Sequence, residues 1–216
     1  MATDTMVSIP VGEVRIDADL VMPESPRGVV LFAHGSGSSR HSPRNRRVAG
    51  YLQEQGFGTV MADLLTPDEE EFDARGGELR FDIGLLGARM VAVVDWAITA
   101  EPTRHRMVGL FGASTGAAAA LVAAAERDSV VQAVVSRGGR PDLAGEAALL
   151  QVRAPTLLIV GGSDPQVWVL NQEAAARISA PCELHVVAGA GHLFEEPGAL
   201  AEVSEHAAQW FADHLG

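Results

Sequence analysis

Three residues of this chain, Ser114, Asp164 and His192, have the types and the order needed for acyl transfer. A serine hydroxyl is a poor nucleophile at neutral pH. It needs a base within hydrogen-bond reach, and that base needs an acid to set its tautomer and stabilise the imidazolium. Ser114 lies in Gly112-Ala113-Ser114-Thr115-Gly116, with an apolar run over 107–111 before it and an alanine-rich run over 117–125 behind. Between a strand and a helix, glycines two places before and after a serine fit a nucleophile elbow. The turn is so tight that a side chain at either flank would meet neighbouring backbone, and the serine is lifted above the helix N-terminus. The five-residue pattern is weak by itself, since its residues are common. Ser114 could instead be a plain helix N-cap, and Asp164, followed by Pro165, could cap its own helix. Asp142 is a competing acid.

The elements that must position these residues alternate. Apolar–polar alternation over 5–9 and 14–22, around Pro10-Val11-Gly12, predicts a hairpin. Apolar runs predict strands over 29–33, 58–62, 107–111, 130–135, 155–160 and 184–187. Helices are expected over 44–55 after Ser42-Pro43, over 79–97, behind the elbow, over 166–178 and over 199–215, with a short one at most within 141–150. The acidic stretch 63–77, broken by Pro67 and a glycine pair, reads as a surface excursion and the only candidate lid. Alternating strands and helices imply an α/β doubly wound sheet with helices on both faces, and residues 1–216 read as a single domain. Sites in such sheets lie past the C-terminal ends of strands. Ser114, Asp164 and His192 each follow a different strand, as does the loop His34-Gly35-Ser36-Gly37-Ser38-Ser39. The remaining histidines are placed worse: His206 and His214 fall in the last helix, His105 precedes a strand and His185 lies within one.

At this point the chain resembles α/β-hydrolase fold enzymes of the dienelactone-hydrolase-like kind, in the small subgroup found alone or fused to phosphoribosyltransferase domains. The resemblance covers nearly the whole chain. It is carried by residues 34–45 (His-Gly-Ser-Gly-Ser-Ser-Arg-His-Ser-Pro-Arg-Asn), by Leu79-Arg80-Phe81-Asp82, by the elbow, by Gly161 to Asp164, and by Gly191-His192-Leu193-Phe194. It implies a mostly parallel sheet of about eight strands with an N-terminal antiparallel hairpin. It also implies an oxyanion hole made by the backbone N–H groups of Thr115 and Ser36. Only about twenty residues separate the strands at 130–135 and 155–160, too few for an inserted cap domain, so small or short-chain substrates are expected. The enzymes that name the family use a cysteine nucleophile. Ser114 in that place favours carboxylic ester hydrolysis through an acyl-serine over lactone hydrolysis. Two alternatives stay open: a thioesterase or lactonase with the same triad, and a catalytically silent binding or partner domain beside a phosphoribosyltransferase.

The remaining residues bound the function further. A net charge of −12 argues against nucleic acid as a partner. The uncharged stretch 107–125 has the length of a membrane span, but its centre is Gly-Ala-Ser-Thr-Gly and it is too weakly apolar to insert. With one cysteine, Cys182, no signal peptide and no membrane segment, a soluble cytoplasmic protein is expected. Cys182 precedes a predicted strand without a glycine turn and reads as structural. No cofactor is implied, and no His/Asp/Glu grouping has metal-ligand spacing such as H-E-x-x-H. A P-loop is an alternative for 34–39, but the Walker lysine is missing. His34 reads as a structural part of that loop. The basic cluster Arg40, His41, Arg44, Arg46 and Arg47 is either a solvated helix face or, through Arg40 or His41, a contact for an anionic part of the substrate. Trp168 and Phe194 are candidates to line the pocket. The expected partner is a small ester; a homodimer is compatible with the sequence but not specified by it.

Overall fold

The computed structural model describes residues 3–216. Strands β1 (Thr3–Val11) and β2 (Val14–Met22) form the N-terminal hairpin, turning through Gly12 at φ 59°, a conformation that favours glycine. β3 (Val29–Ala33), β4 (Gly58–Ala62), β5 (Val108–Ala113), β6 (Val131–Arg137), β7 (Thr156–Gly161) and β8 (Cys182–Val187) complete one eight-stranded sheet. The spatial order is β1-β2-β4-β3-β5-β6-β7-β8. β2 pairs antiparallel with β4, and all strands from β4 onward are parallel. The central strands β3, β4, β5 and β7 are buried at every position, which is why they read as continuous apolar runs and not as alternating ones.

Helices cover both faces. α1 (Pro43–Glu54) and α7 (Ala199–His214) bury Val48, Leu52, Val203 and Phe211 on one face, against Val30, Phe32 and Phe111. On the other face lie α3 (Ile83–Ala97), α4 (Thr115–Glu126), α5 (Glu146–Gln151) and α6 (Pro165–Ala175), which bury Met90, Val94, Leu121 and Ala174 against Leu31 and Leu110. α4 is mostly alanine, and its burial is nearly complete from Thr115 to Ala124. Side chains of one carbon let it pack closely between sheet and α3; Gly87 of α3 sits where a Cβ would meet Val122 at 2.8 Å.

Two sequence expectations are corrected here. Residues 63–77 are not an irregular excursion: Pro67–Gly76 forms helix α2. Thr66 caps it by accepting from the Glu69 N–H (3.2 Å), while the Glu69 carboxylate accepts from the Thr66 N–H (2.8 Å). Pro67 therefore starts the helix, where its missing N–H costs nothing, and Gly77 ends it at φ 72°. The stripe expected over 79–97 is broken at Asp82. A 3₁₀ turn (Leu79–Phe81) precedes it, and its carboxylate accepts from the Leu85 N–H to start α3. Between β6 and β7 stand only a 3₁₀ turn (Pro141–Ala144) and α5, and no cap domain is inserted there.

In this strand order the connection from β3 runs to one side and that from β5 to the other, so the loops leaving these two adjacent strands diverge at their C-terminal ends. A crevice opens at that switch point.

Candidate active site

Ser114 occupies the turn between β5 and α4 at φ 52°, ψ −121°, in a region that side chains rarely enter. The flanking glycines explain how it is held there. A Cβ on Gly112 would lie 2.7 Å from the Ala117 nitrogen, and one on Gly116 would run into the Ala33 and His34 carbonyl oxygens. The Ser114 N–H donates to the Arg137 carbonyl (3.2 Å), and its own carbonyl accepts from Ala117 and Arg140 (3.1 and 3.0 Å). Its hydroxyl does not cap α4. The plain N-cap alternative therefore fails on geometry: the hydroxyl is displayed, not engaged with the helix.

The loop after β3 packs directly on the elbow. A Cβ on Gly35 would stand 3.0 Å from the Ser114 Cβ, so glycine lets this loop's backbone approach Ser114. Among the described residues, neither the Ser36 nor the Thr115 N–H donates to a backbone carbonyl in the turns. His34 anchors the loop. Its Nε2 accepts from the Leu64 N–H and its Nδ1–H donates to the Gly35 carbonyl, both at 3.0 Å. That arrangement uses the neutral ring, and burial pushes its pKa below the usual histidine value, against the opposing pulls of the Gly35 carbonyl and Asp63.

Asp164 and His192 are joined across two further loops. His192 Nδ1–H donates to Asp164 Oδ2 at 2.8 Å, while Asp164 Oδ1 accepts from the Val167 N–H at 3.4 Å. Asp164 thus caps α6 and holds the histidine at once. The loops are pressed together because Gly161 has no side chain: a Cβ there would lie 2.6 Å from the Gly191 carbonyl oxygen. The Ser163 N–H donates to the Ala190 carbonyl at 2.9 Å and ties the two loops further. Asp142 is engaged elsewhere, taking both Nε and Nη2 of Arg140 at 2.9 and 2.7 Å.

Ser114 and His192 line one cavity of about 200 Å³ together with Ser36, Arg44, Arg137 and Leu193. A second cavity of about 270 Å³ lies on the other side of the Gly35–Ser38 stretch, walled by Leu65, Glu70, Arg80 and Thr115. α2 is therefore a wall of the crevice through Glu70 and Asp73, pinned by Arg80, whose Nε donates to Asp73 at 2.5 Å.

The four expected substrate contacts are not brought to the Ser114 cavity. The Arg40 guanidinium is taken by Asp63 and by Asp19 (3.3 Å), and its backbone N–H donates to Asp63 at 2.7 Å. Two carboxylates neutralise it, so it ties the loop after β3 to β2 and to the end of β4. His41 is exposed, with Nδ1 3.0 Å from Arg46 Nη2. Trp168 is half-buried on α6 and lines no described cavity. Phe194 is fully buried at φ 55° beneath α1 and α7, where it anchors the His192 loop as core. The residue that sequence reasoning missed is Arg137. It is the one charged residue of β6 and stands at that strand's C-terminal end, which was the available signal. Cys182 opens β8 instead of preceding it, and burial, with Glu183 adding to it, pushes its thiol up to about 11. A further grouping, His185 with Glu202 (2.7 Å) and His206 stacked 3.7 Å away, joins β8 to α7 and shares no residue with either cavity.

Residues 16–214 match the dienelactone hydrolase family. The chain belongs to that family. A dienelactone hydrolase from Anabaena variabilis has a crystal structure that superposes with a TM-score of 0.97 at 55% identity, covering 100% of this chain and 99% of that one. The eight-stranded sheet with its N-terminal hairpin is thus the α/β-hydrolase fold of the dienelactone hydrolases. Est1E from Butyrivibrio proteoclasticus shares the fold at 16% identity and a TM-score of 0.80, over 96% of this chain and 98% of its own. A Mycobacterium tuberculosis protein bearing the name "Putative phosphoribosyl transferase" is 56% identical over 98% of this chain. The chain spans about half the length (47%) of that relative. No helix among the described residues is long and apolar enough to cross a membrane.

Proposed function

We propose that this dienelactone hydrolase-like protein is a serine hydrolase of small carboxylic esters. The observation that carries this reading is the 2.8 Å bond from His192 Nδ1–H to Asp164, at the mouth of a cavity that Ser114 also lines from a strained, uncapped turn. With Nδ1 engaged, only Nε2 remains to exchange a proton. Ser114 Oγ attacks the ester carbonyl as His192 Nε2 takes its proton. The Ser36 and Thr115 N–H groups receive the developing oxyanion. His192 returns the proton to the leaving alcohol, and water then cleaves the acyl-serine with the same base. Asp164 holds the productive tautomer throughout. None of these steps calls for a cofactor. The family's name supports lactone hydrolysis as a second reading with the same residues, since it too is an acyl transfer to Ser114; a thioester would react by the same steps.

A cytoplasmic location fits a single cysteine whose raised pKa keeps it an inert thiol. The longer M. tuberculosis relative supports a working association with a phosphoribosyltransferase domain. The activity is tested with a fluorophosphonate probe and mass mapping, followed by p-nitrophenyl esters of graded chain length. Labelling at Ser114 with turnover of the short esters is expected. Labelling that survives Ser114→Ala, or a folded protein that turns over no ester, thioester or lactone, overturns the proposal.

A further inference from the structure

β8 is an outer strand of the sheet, paired with β7 alone. Alternation along it sends Cys182 to the core on the α3–α6 side and sends His185 and Val187 to the opposite face. That face is covered by α7, whose buried stripe includes Val203, Ala207 and Phe211. Glu202 and His206, four residues apart, stand one above the other beside this stripe. His185 Nε2–H donates to Glu202 Oε1 at 2.7 Å, and the His206 ring lies on the His185 ring with centroids 3.7 Å apart. One nitrogen from each histidine and one carboxylate oxygen all fall within 4.8 Å of one another. His185 and Glu202 hold each other, whereas His206 is exposed and no described residue bonds to its ring nitrogens.

Charge along this edge is one-sided. β8 and α7 together carry Glu183, Glu202, Glu205 and Asp213, and neither contains a lysine or an arginine. Other partly or fully buried acids of this chain are met by guanidinium: Glu69 by Arg89, Asp73 by Arg80, Asp95 by Arg127. Glu202 is met by imidazole instead. Two imidazoles and one carboxylate are the donor set of a borderline-soft divalent ion such as zinc. Mg²⁺ and Ca²⁺ favour oxygen ligands throughout, and this grouping offers a single carboxylate. A hydrogen-bonded pair accounts for His185 and Glu202, but it leaves a second histidine with free nitrogens stacked on the first.

We propose that His185, Glu202 and His206 bind a zinc ion, which clamps the edge strand β8 to α7. Ligand atoms around a tetrahedral zinc stand about 3.3 Å apart, so these three close up by at most roughly 1.5 Å, chiefly by rotation of the exposed His206 side chain. The ion takes the His185 Nε2 that Glu202 now engages, and the neutral ring keeps its proton on Nδ1. Three protein ligands leave the fourth position to water. The clamp joins the two ends of the segment 186–201, which carries His192, yet it uses no residue of the Ser114 cavity. It does not rest on the hydrolase reading. Spacing in the sequence conceals it, because His185 comes from a strand and lies 17 residues before Glu202.

The test uses the full chain without a histidine tag, stripped with EDTA and titrated calorimetrically with ZnCl2, with MgCl2 as control. One zinc per chain should bind and raise Tm by several degrees at saturation, and Mg²⁺ should do neither. His206→Ala, a change at an exposed position, should weaken zinc binding about tenfold or more, and so should Glu202→Gln. His192→Ala and His214→Ala should bind zinc as the parent does. CoCl2 supplies a spectroscopic signature: bound cobalt should give a visible absorption band that zinc displaces and that His206→Ala lacks. The proposal is overturned if no zinc binds, or if His206→Ala binds it as tightly as the parent. It is equally overturned if His192→Ala abolishes the binding, which would put the metal at the Asp164–His192 pair. No readout here is ester turnover, so failure of the clamp and failure of the hydrolase reading are told apart.

Discussion

Replacing Asp164 by Asn separates its two tasks, because an amide can do one and not the other. The Asn oxygen can still accept the Val167 N–H, and Asn caps helices as well as Asp, so α6 should be unharmed and stability should move by less than about 0.5 kcal/mol. The bond to His192 changes in kind. An amide NH₂ facing Nδ1 favours the tautomer with the proton on Nε2, which leaves the base unable to accept from Ser114. The imidazolium formed during attack also loses its counter-charge at 2.8 Å. In the serine-protease template the same replacement costs about 10⁴-fold in kcat. Here the His192 side chain is 38% exposed, so water takes over part of the charge, and a loss of about 10³-fold, or ~4 kcal/mol of transition-state stabilisation, is expected. The assay is p-nitrophenyl acetate turnover with urea unfolding of the same samples. Asp142→Asn is run beside it. That change removes a part-exposed pair with Arg140, worth at most about 1 kcal/mol, and should leave kcat within about twofold. The reasoning is refuted if Asp164→Asn keeps more than a tenth of the activity, or if Asp142→Asn is equally damaging.

Three further outcomes follow from the geometry. Ser114→Gly should abolish ester cleavage yet raise the unfolding free energy by about 1 kcal/mol in urea titrations, because glycine relieves the positive φ that serine bears; a less stable variant would show that the turn stores no strain. Arg40→Met should cost about 1–3 kcal/mol by stranding Asp63, which is largely buried, while shifting KM equally for neutral and anionic esters. His34 is held neutral by burial, so the unfolded chain binds its proton first as pH falls. Its contribution is complete above the ordinary histidine pKa of 6.5 and is lost as pH drops below that value toward the lowered folded pKa. Chemical denaturation at pH 7.5 and 5.5 should therefore show acid loss of stability that is smaller in His34→Gln; an unchanged slope would place the titration elsewhere.

Much of the candidate site is legible in local sequence because turn chemistry and strand ends are written locally. Gly112 is required by contacts with Gly116 and Ala117 a few residues on, whereas the need for glycine at 116 comes from the Ala33 and His34 carbonyls of the neighbouring strand end; Ser114, Asp164 and His192 each lie within a short loop past an apolar strand run. The signals over 63–77 are local too: Pro67 and the glycines read as breakers, yet Thr66-Pro67-Asp68-Glu69 is a capping box with proline at the first helical turn, and Gly77 is its stop. The apolar runs stop one or two residues short of the true ends of β6 and β7, so Arg137 is the last residue of its strand and not part of the following loop.

The sequence by itself determined the alternation that makes a doubly wound sheet, the glycine-flanked turn and the chemical types at three strand ends, since periodicity and turn chemistry act over a few residues. Only the tertiary structure decided which charges meet. Asp164 and not Asp142 faces His192 because β7 and β8 are neighbours in the sheet and Gly161 lets their loops touch. Arg40 is neutralised because β2 and the end of β4 bring Asp19 and Asp63 to it, whereas Arg137, in register with the residue before Ser114, pairs with no acid among the described residues. Strand order and register are settled by packing across the whole sheet, and the partner of a charge depends on both.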